Sequence, residues 1–218
     1  AEFMWLSGIT ICDGMAADFA ECKEHIVPAH PFSDDIISVS RKLAERFCCD
    51  TEHIHQVEIA ALKLFDALRK ANHLTKKDRL LLQIAAILHN CGSFLNLNDI
   101  GENSYKIVTS TEIIGLSHQE RMIVAYVIRY TTGDFPEYSE IKNEFSREEY
   151  IKIAKLNAIL CLADAMDRSH QQKFTNFTVR KRGYDLTITG QTLYDITLEH
   201  GMFCLLYTSP SPRDTERS

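Results

Sequence analysis

The sequence has no surplus of basic residues, no regular cysteine spacing and no apolar run long enough to cross a membrane. Its 218 residues carry a formal net charge of −6, which argues against non-specific nucleic-acid binding because such binding needs a basic surface. The seven cysteines are odd in number and irregularly spaced, so we predict reduced packing residues and neither a disulfide framework nor a zinc site. Because no secretory leader is visible either, we predict a cytoplasmic protein without membrane contacts.

The segment RLLLQIAAILHNCG, from Arg79 to Gly92, predicts the helix around which the chain is organised. Its apolar residues recur at three- and four-residue steps and also fill the positions between them, so this helix is apolar nearly all round and must be buried. Thr75 and Asp78 have the spacing of an N-cap and a first-turn acid, and Gly92 is expected to be the C-cap.

Other helices are predicted by apolar periodicity and by capping patterns such as Ser117 with Glu120 and Ser146 with Glu149. From residue 173 onward, β-branched and polar residues alternate between glycine turns, which predicts an antiparallel β-meander. The predicted fold class is therefore mainly α, a helical bundle followed by a small antiparallel β-meander. The further helices are expected at about residues 33–49, 50–71, 104–110, from 117 and 151–166.

The chain divides into four predicted segments. Residues 33–172 are the helical domain, and residues 173–203 are the β-rich segment. Residues 1–32 combine a β-rich strand that has no local partner with a proline-containing linker, so we expect the end of an upstream domain of a longer protein. Residues 204–218 turn proline-rich and are expected to be a disordered, non-native tail. Because residues 204–214 resemble a translated sequencing adapter, we exclude this tail from functional reasoning.

Histidine and carboxylate side chains on three different predicted helices form the candidate site. His53 lies at the start of the second helix, His89 and Asn90 end the central helix, and Asp164 lies late in the last long helix. Imidazoles and carboxylates suit a divalent metal that polarises phosphate and activates water. This arrangement resembles that of HD-domain phosphohydrolases, in which an aspartate follows the second histidine. Here Asn90 replaces that aspartate, and the lost negative charge lowers the expected metal affinity.

Four longer blocks, in chain order, extend the resemblance to one family. They resemble the C-terminal HD-like region of the exopolyphosphatase and guanosine pentaphosphate phosphohydrolase family (Ppx/GppA). The blocks are HIHQVEIAALKLFDAL (53–68), KKDRLLLQIAAILHNCG (76–92), NSYKIVTSTEIIGLSHQERMIVAYVIRY (103–130) and LNAILCLADAMDRSH (156–170). In addition, SGITICDGM (7–15) resembles the closing strand of the actin-like domain that precedes this region in the family.

The resemblance implies that catalysis belongs to another part of a longer protein. The phosphate-binding loops, the magnesium site and the catalytic glutamate of the family lie in its actin-like domains, which would precede Ala1. This chain would then hold no catalytic residue and no cofactor of its own. The parent protein would act on inorganic polyphosphate or guanosine pentaphosphate, and a homodimer is a further expectation.

The sequence departs from those family members that keep an intact HD site. They have two histidines in the loop after the HD pair and a YH pair after the next helix. Here Ile100 and Asn103 stand in the loop, and Thr131 follows Tyr130. Since three remaining ligands are too few for the one or two metals of such sites, we expect a vestigial metal site. The remaining ligands are His53, His89 and Asp164.

Each of these residues also has a purely structural interpretation. His53 could bond solvent or backbone at the start of its helix, and His89 could neutralise carbonyl groups at a helix end. Asp164 could pair with Arg168 four residues later, or accept a hydrogen bond from the histidine or amide of the central helix. Asp167 is a second carboxylate for the same site.

Two basic clusters are candidate polyanion contacts, because lysine and arginine bind phosphate oxygens, although such clusters also occur as solvated surface. We call them the helix cluster (Lys76, Lys77 and Arg79) and the hairpin cluster (Arg180, Lys181 and Arg182). Three functions therefore stay open. The chain is the accessory part of a Ppx/GppA-type enzyme, an autonomous metal-dependent HD phosphohydrolase acting on a nucleotide, or a scaffold that senses a regulator.

Overall fold

The computed structural model describes residues 32–174, 176–183 and 185–208. Within these ranges the chain forms α-helices, one short 3₁₀ helix and a two-stranded sheet. The helices are α1 (Phe32–Arg46), α2 (Thr51–Asn72), α3 (Lys76–Leu88), the 3₁₀ helix (Cys91–Phe94), α4 (Ile100–Ser110), α5 (His118–Arg129), α6 (Tyr138–Ile141), α7 (Arg147–Ala165) and α8 (Thr197–Thr208). The strands are β1 (Asn176–Arg182) and β2 (Asp185–Gln191). The predicted strand and linker in residues 1–31 lie outside the described ranges.

Helix α3 is the centre of the bundle, as its sequence predicts. It packs against α1, α2, α5 and α7, and its side chains Leu82, Ile84 and Leu88 have no exposed surface. A helix that is apolar on every face can be stable only when other helices cover it on every side. The periodicity of this segment therefore determines both its helical form and its position.

The predicted N-terminal capping patterns are confirmed. In each of three helices, a hydroxyl side chain accepts from a backbone N–H three residues later, and the acid at that later position accepts from the capping residue's own N–H. These reciprocal bonds satisfy backbone donors that the first helical turn leaves without partners. The capping pairs are Thr75 with Asp78, Ser117 with Glu120, and Ser146 with Glu149.

The prediction that Gly92 caps α3 is wrong. The helix ends at Leu88, and Gly92 is buried inside the 3₁₀ helix. A Cβ atom at position 92 would lie 2.2 Å from the carbonyl oxygen of Ile100 and 2.5 Å from the amide nitrogen of Ser104. Glycine is required here because the start of α4 packs directly on this backbone. The Ser104 hydroxyl joins the two segments, since it accepts from the Gly92 amide at 2.7 Å and donates to the His89 carbonyl at 2.8 Å.

The C-terminal segment is only in part the predicted meander. Strands β1 and β2 form an antiparallel hairpin in which Asn176 pairs with Gln191 and Arg182 with Asp185, and the hairpin packs against α2. The mainly α fold class with a small antiparallel sheet is therefore confirmed. The extension of β structure through residue 203 is wrong, because residues 197–208 form α8.

Local and long-range contacts explain why α8 is a helix. Asp195 accepts from both the amide and the hydroxyl of Thr197 at the helix start, at 3.0 and 2.6 Å. Glu199 in the first turn is fully buried and accepts from Ser169 and Lys173. The predicted tail begins at residue 204, within α8, and its remainder from residue 209 lies outside the described ranges. No described helix is both long and apolar enough to span a membrane.

Candidate functional site

Three helix ends bring His53, His89 and Asp164 together in one buried pocket, which we call the histidine pocket. The Nε2 atoms of the two histidines are 3.2 Å apart. Oδ1 of Asp164 lies 3.4 Å from Nε2 of His53 and 3.5 Å from Nε2 of His89. The histidines are only 1% and 5% exposed. The three residues that the sequence singles out, on separate helices, therefore share one site.

Each histidine ring is held in place through its other nitrogen. Nδ1 of His53 lies 2.9 Å from the Asp167 carboxylate, and Nδ1 of His89 donates to the carbonyl of Ala86 at 2.7 Å. Because a carbonyl oxygen can only accept, Nδ1 of His89 carries a proton, and the Nε2 atom of the same ring faces the pocket. The ring of His170 stacks on His53, with ring centroids 3.7 Å apart. The orientation of both rings is therefore fixed by the protein.

The electrostatics of the pocket centre on a proton carried by His53. Burial acts to lower the pKa of His53, but hydrogen bonds to Asp164 and Asp167 outweigh burial and raise this pKa to about 9. Burial likewise acts to raise the pKa of Asp164, yet its hydrogen bonds with both histidines hold it well below the ordinary value. His53 is therefore an imidazolium at neutral pH, and Asp164 is ionised.

Charges of opposite sign balance in this cluster. The guanidinium of Arg168 lies 3.3 Å from the second oxygen of Asp164, so the predicted pairing of these two residues is confirmed. Two carboxylates, Asp164 and Asp167, then face two cations, His53 and Arg168. Burying ionised groups is costly unless they are paired, and here each has a partner of opposite sign.

The rim of the pocket contains three of the four residues that depart from the HD pattern. Asn90, Ile100 and Thr131 all line it, together with Ser93. Asn103 differs, because its side-chain amide donates to the carbonyl of Asn96 at 3.4 Å. An amide, an aliphatic side chain and hydroxyl groups therefore stand where additional metal ligands would be needed.

The donor set fits one divalent transition metal ion and no more. The ligand atoms of His53, His89 and Asp164 lie within 4.8 Å of one another, and no other described residues form a comparable group. Histidine–metal bonds of about 2.1 Å place neighbouring ligand atoms about 3.0–3.4 Å apart, close to the separations found here. An ion held by these residues would polarise a bound phosphate oxygen or lower the pKa of a bound water.

The helix cluster is largely neutralised by acidic neighbours. Lys77 forms an ion pair with Glu120, and Arg79 donates to both carboxylate oxygens of Asp66, at 3.0 and 3.1 Å. Lys76 is exposed at the start of α3. Two of its three cations therefore already have partners.

The hairpin cluster presents its charges differently. Arg180, Lys181 and Arg182 are all exposed along the end of β1. Lys181 donates to the carbonyl of Gly183 at 2.6 Å, which leaves its charge uncompensated. Among the described residues, no carboxylate forms a salt bridge with this cluster.

Two residues of the pocket have roles that the sequence does not predict. Asp167, expected as a second carboxylate for the site, orients His53 and also accepts from the backbone amide of Gln172 at 2.7 Å. Its position three residues after Asp164 was the available signal, since such spacing places two carboxylates near one helix face. His170 carried no local signal, because its contact with His53 joins residues far apart in the chain.

Comparison with protein families identifies the region that contains the pocket. A family model described as Ppx/GppA phosphatase, domain III, matches residues 37–201, a range that contains the histidine pocket and both basic clusters. No curated protein matches the chain.

Proposed function

We propose, from the premise that this chain belongs to the Ppx/GppA phosphatase family, that it is the accessory C-terminal part of an exopolyphosphatase or guanosine pentaphosphate phosphohydrolase. The matching model describes domain III of the family and covers well over half of the chain. The resemblance to the family assigns magnesium binding and catalysis to the actin-like domains. This part would then be a supporting domain of a cytoplasmic enzyme. It would guide a substrate that carries many phosphates.

The balanced charge of the histidine pocket is the observation that best supports this proposal. Protonated His53 and Arg168 neutralise Asp164 and Asp167 without a metal ion. Asn90 offers a neutral amide at the rim, where an HD-type site would have a carboxylate. A metal ion must displace the proton of His53 and would gain only three protein ligands, so we propose weak metal binding and no hydrolysis by this chain alone.

The convergence of three metal-type ligands favours a second candidate function. An autonomous metal-dependent HD phosphohydrolase needs imidazole and carboxylate donors around one point, and His53, His89 and Asp164 provide that arrangement. Asn90 and the missing loop histidines argue against it. The two candidates differ in what the isolated chain does when a metal ion is supplied.

A manganese titration of the full chain separates them. Calorimetry is expected to show weak Mn²⁺ binding, with no phosphate released from polyphosphate or guanosine pentaphosphate. Asn90→Asp is expected to raise the Mn²⁺ affinity at least about tenfold, because it restores a charged hard ligand at the rim. Asn143→Asp, exposed in the turn between α6 and α7 and not among the residues that line the pocket, adds the same charge elsewhere and controls for net charge.

The opposite result would favour the autonomous enzyme. Tight Mn²⁺ binding by the unmodified chain, together with phosphatase activity that His89→Ala abolishes, would overturn the accessory role. Equal Mn²⁺ affinities for the Asn90→Asp and Asn143→Asp variants would show that position 90 does not contribute a ligand.

Contact with polyphosphate is best supported at the hairpin cluster. Its three cations are exposed and without salt bridges among the described residues, whereas the helix cluster is mostly paired. Exposed cations can bind phosphate oxygens without first giving up a partner. If neither cluster binds polyphosphate, the role as a scaffold or regulatory module remains.

A further inference from the structure

Two buried cysteines contact each other beside the histidine pocket. The Sγ atoms of Cys49 and Cys91 are 3.3 Å apart, although 42 positions separate the residues in the chain. Cys49 is 7% exposed and Cys91 is not exposed at all. Both are free thiols. A disulfide bond of about 2.05 Å requires the sulfur atoms to approach by little more than 1 Å.

The two thiols differ in their access to solvent. Cys49 keeps 7% of its surface exposed, whereas Cys91 has none. A small oxidant therefore reaches Cys49 first, and Cys91, whose sulfur lies in contact with it, is the thiol that can respond.

We propose that Cys49 and Cys91 form a redox modification site that hydrogen peroxide converts to a disulfide. The thiolate of Cys49 attacks one peroxide oxygen, the O–O bond breaks, and the departing hydroxide takes up a proton to become water. The sulfenic acid on Cys49 is then attacked by the sulfur of Cys91. This second step forms the S–S bond and releases a second water, so two thiols lose two electrons to one peroxide. A small oxidant is required because the pair is buried.

The disulfide would connect the same two segments that carry the pocket histidines. Cys91 lies two residues after His89. Cys49 precedes Asp50, whose side chain caps α2 by accepting from the His53 amide at 3.1 Å. Oxidation would therefore fix the end of α3 to the start of α2 beside the pocket. This inference does not depend on the proposed function, because it concerns only the two thiols and their placement.

Peptide mapping of the full chain tests the proposal. The folded protein is treated with hydrogen peroxide, alkylated with N-ethylmaleimide under denaturing conditions, digested and analysed by mass spectrometry. We expect a peptide pair joined through Cys49 and Cys91, lighter by two hydrogens than the separate peptides. The joined pair should also form in Cys48→Ser, since Cys48 is exposed and outside the contact.

The control variant reports the individual steps. In Cys91→Ala the joined pair cannot form, and we expect the sulfenic acid on Cys49 to persist and to be trapped by dimedone. The unmodified chain decides the question even if that variant does not fold. The proposal is overturned if Cys91 of the peroxide-treated chain remains fully alkylated, or if the disulfide joins Cys91 to Cys48.

Discussion

The proton on His53 makes the stability of the metal-free chain dependent on pH. The pKa of His53 is raised to about 9 in the folded protein, against an ordinary value of about 6.5 that we assign to the unfolded chain. The folded state therefore holds this proton more tightly. The stabilisation that this proton on His53 contributes is complete below pH 6.5 and is lost as the pH rises through 9. We expect the free energy of unfolding to fall across this interval.

The size of the effect follows from the difference between the two pKa values. At about 1.4 kcal/mol for each tenfold change in proton affinity, the full contribution is on the order of 3 kcal/mol. About 2 kcal/mol of this should be lost between pH 6 and pH 8.5, a range that ends where cysteine thiols begin to ionise. His53 is only 1% exposed, so screening by solvent does not greatly reduce this value.

Urea unfolding followed by circular dichroism, with EDTA present and at several pH values, measures this loss. His53→Gln should be less stable at pH 6 and should show a much smaller dependence on pH. His55→Gln is the matched control, because His55 lies exposed on the same helix and its loss should leave the pH dependence unchanged. A stability that is constant from pH 6 to 8.5, or an equal slope in His53→Gln, would refute the charge assignment of the pocket.

Two further predictions concern the packing of α4 and the contact with polyphosphate. Gly92→Ala should destabilise the chain by about 3 kcal/mol in urea unfolding, because its methyl group meets backbone atoms that cannot move aside. Gly133→Ala, where a Cβ meets nothing within 4 Å, should change the stability by less than about 0.5 kcal/mol, and equal effects would contradict this account. Replacing the hairpin cluster by glutamines should weaken polyphosphate binding and reduce the salt dependence of the affinity by up to about one counterion per cation. The same replacement in the helix cluster should have a smaller effect, and an unchanged salt dependence in the hairpin variant would exclude that contact.

The parts of the fold that sequence predicts best are those determined by local interactions. The periodicity of α3 and the capping box of Thr75 with Asp78 involve residues within a few positions of one another, and both are confirmed. Gly92 was misassigned because a glycine near a helix end is compatible with two causes, a left-handed C-cap and a close backbone contact. Only the approach of α4, which is not encoded locally, separates them.

The difference between local and long-range interactions also explains what the sequence did not predict in the C-terminal segment and in the histidine pocket. The β prediction for residues 197–203 extends the alternation of the preceding segment into a stretch, TLEHGMF, that does not alternate. There the buried contacts of Glu199 with Ser169 and Lys173 stabilise a helix. In the histidine pocket, His53, His89 and Asp164 were predicted from their residue types, their positions on separate predicted helices and their resemblance to the HD arrangement. The spacing of Asp167 from Asp164 indicates a second carboxylate near the site, but its contact with His53 joins residues 114 positions apart in the chain and is not encoded locally.

The identity of residue 90 determines whether this pocket requires a metal ion. With Asn90, two carboxylates are balanced by protonated His53 and Arg168, and the cluster is neutral without any added ion. With aspartate at position 90, three carboxylates would face two cations in a buried space, and a negative charge would remain uncompensated. Burying an unpaired charge is costly, so a divalent cation would then stabilise the fold as well as complete the site. In the metal-free state Asn90→Asp should therefore lower the stability of the chain, and Mn²⁺ should restore it.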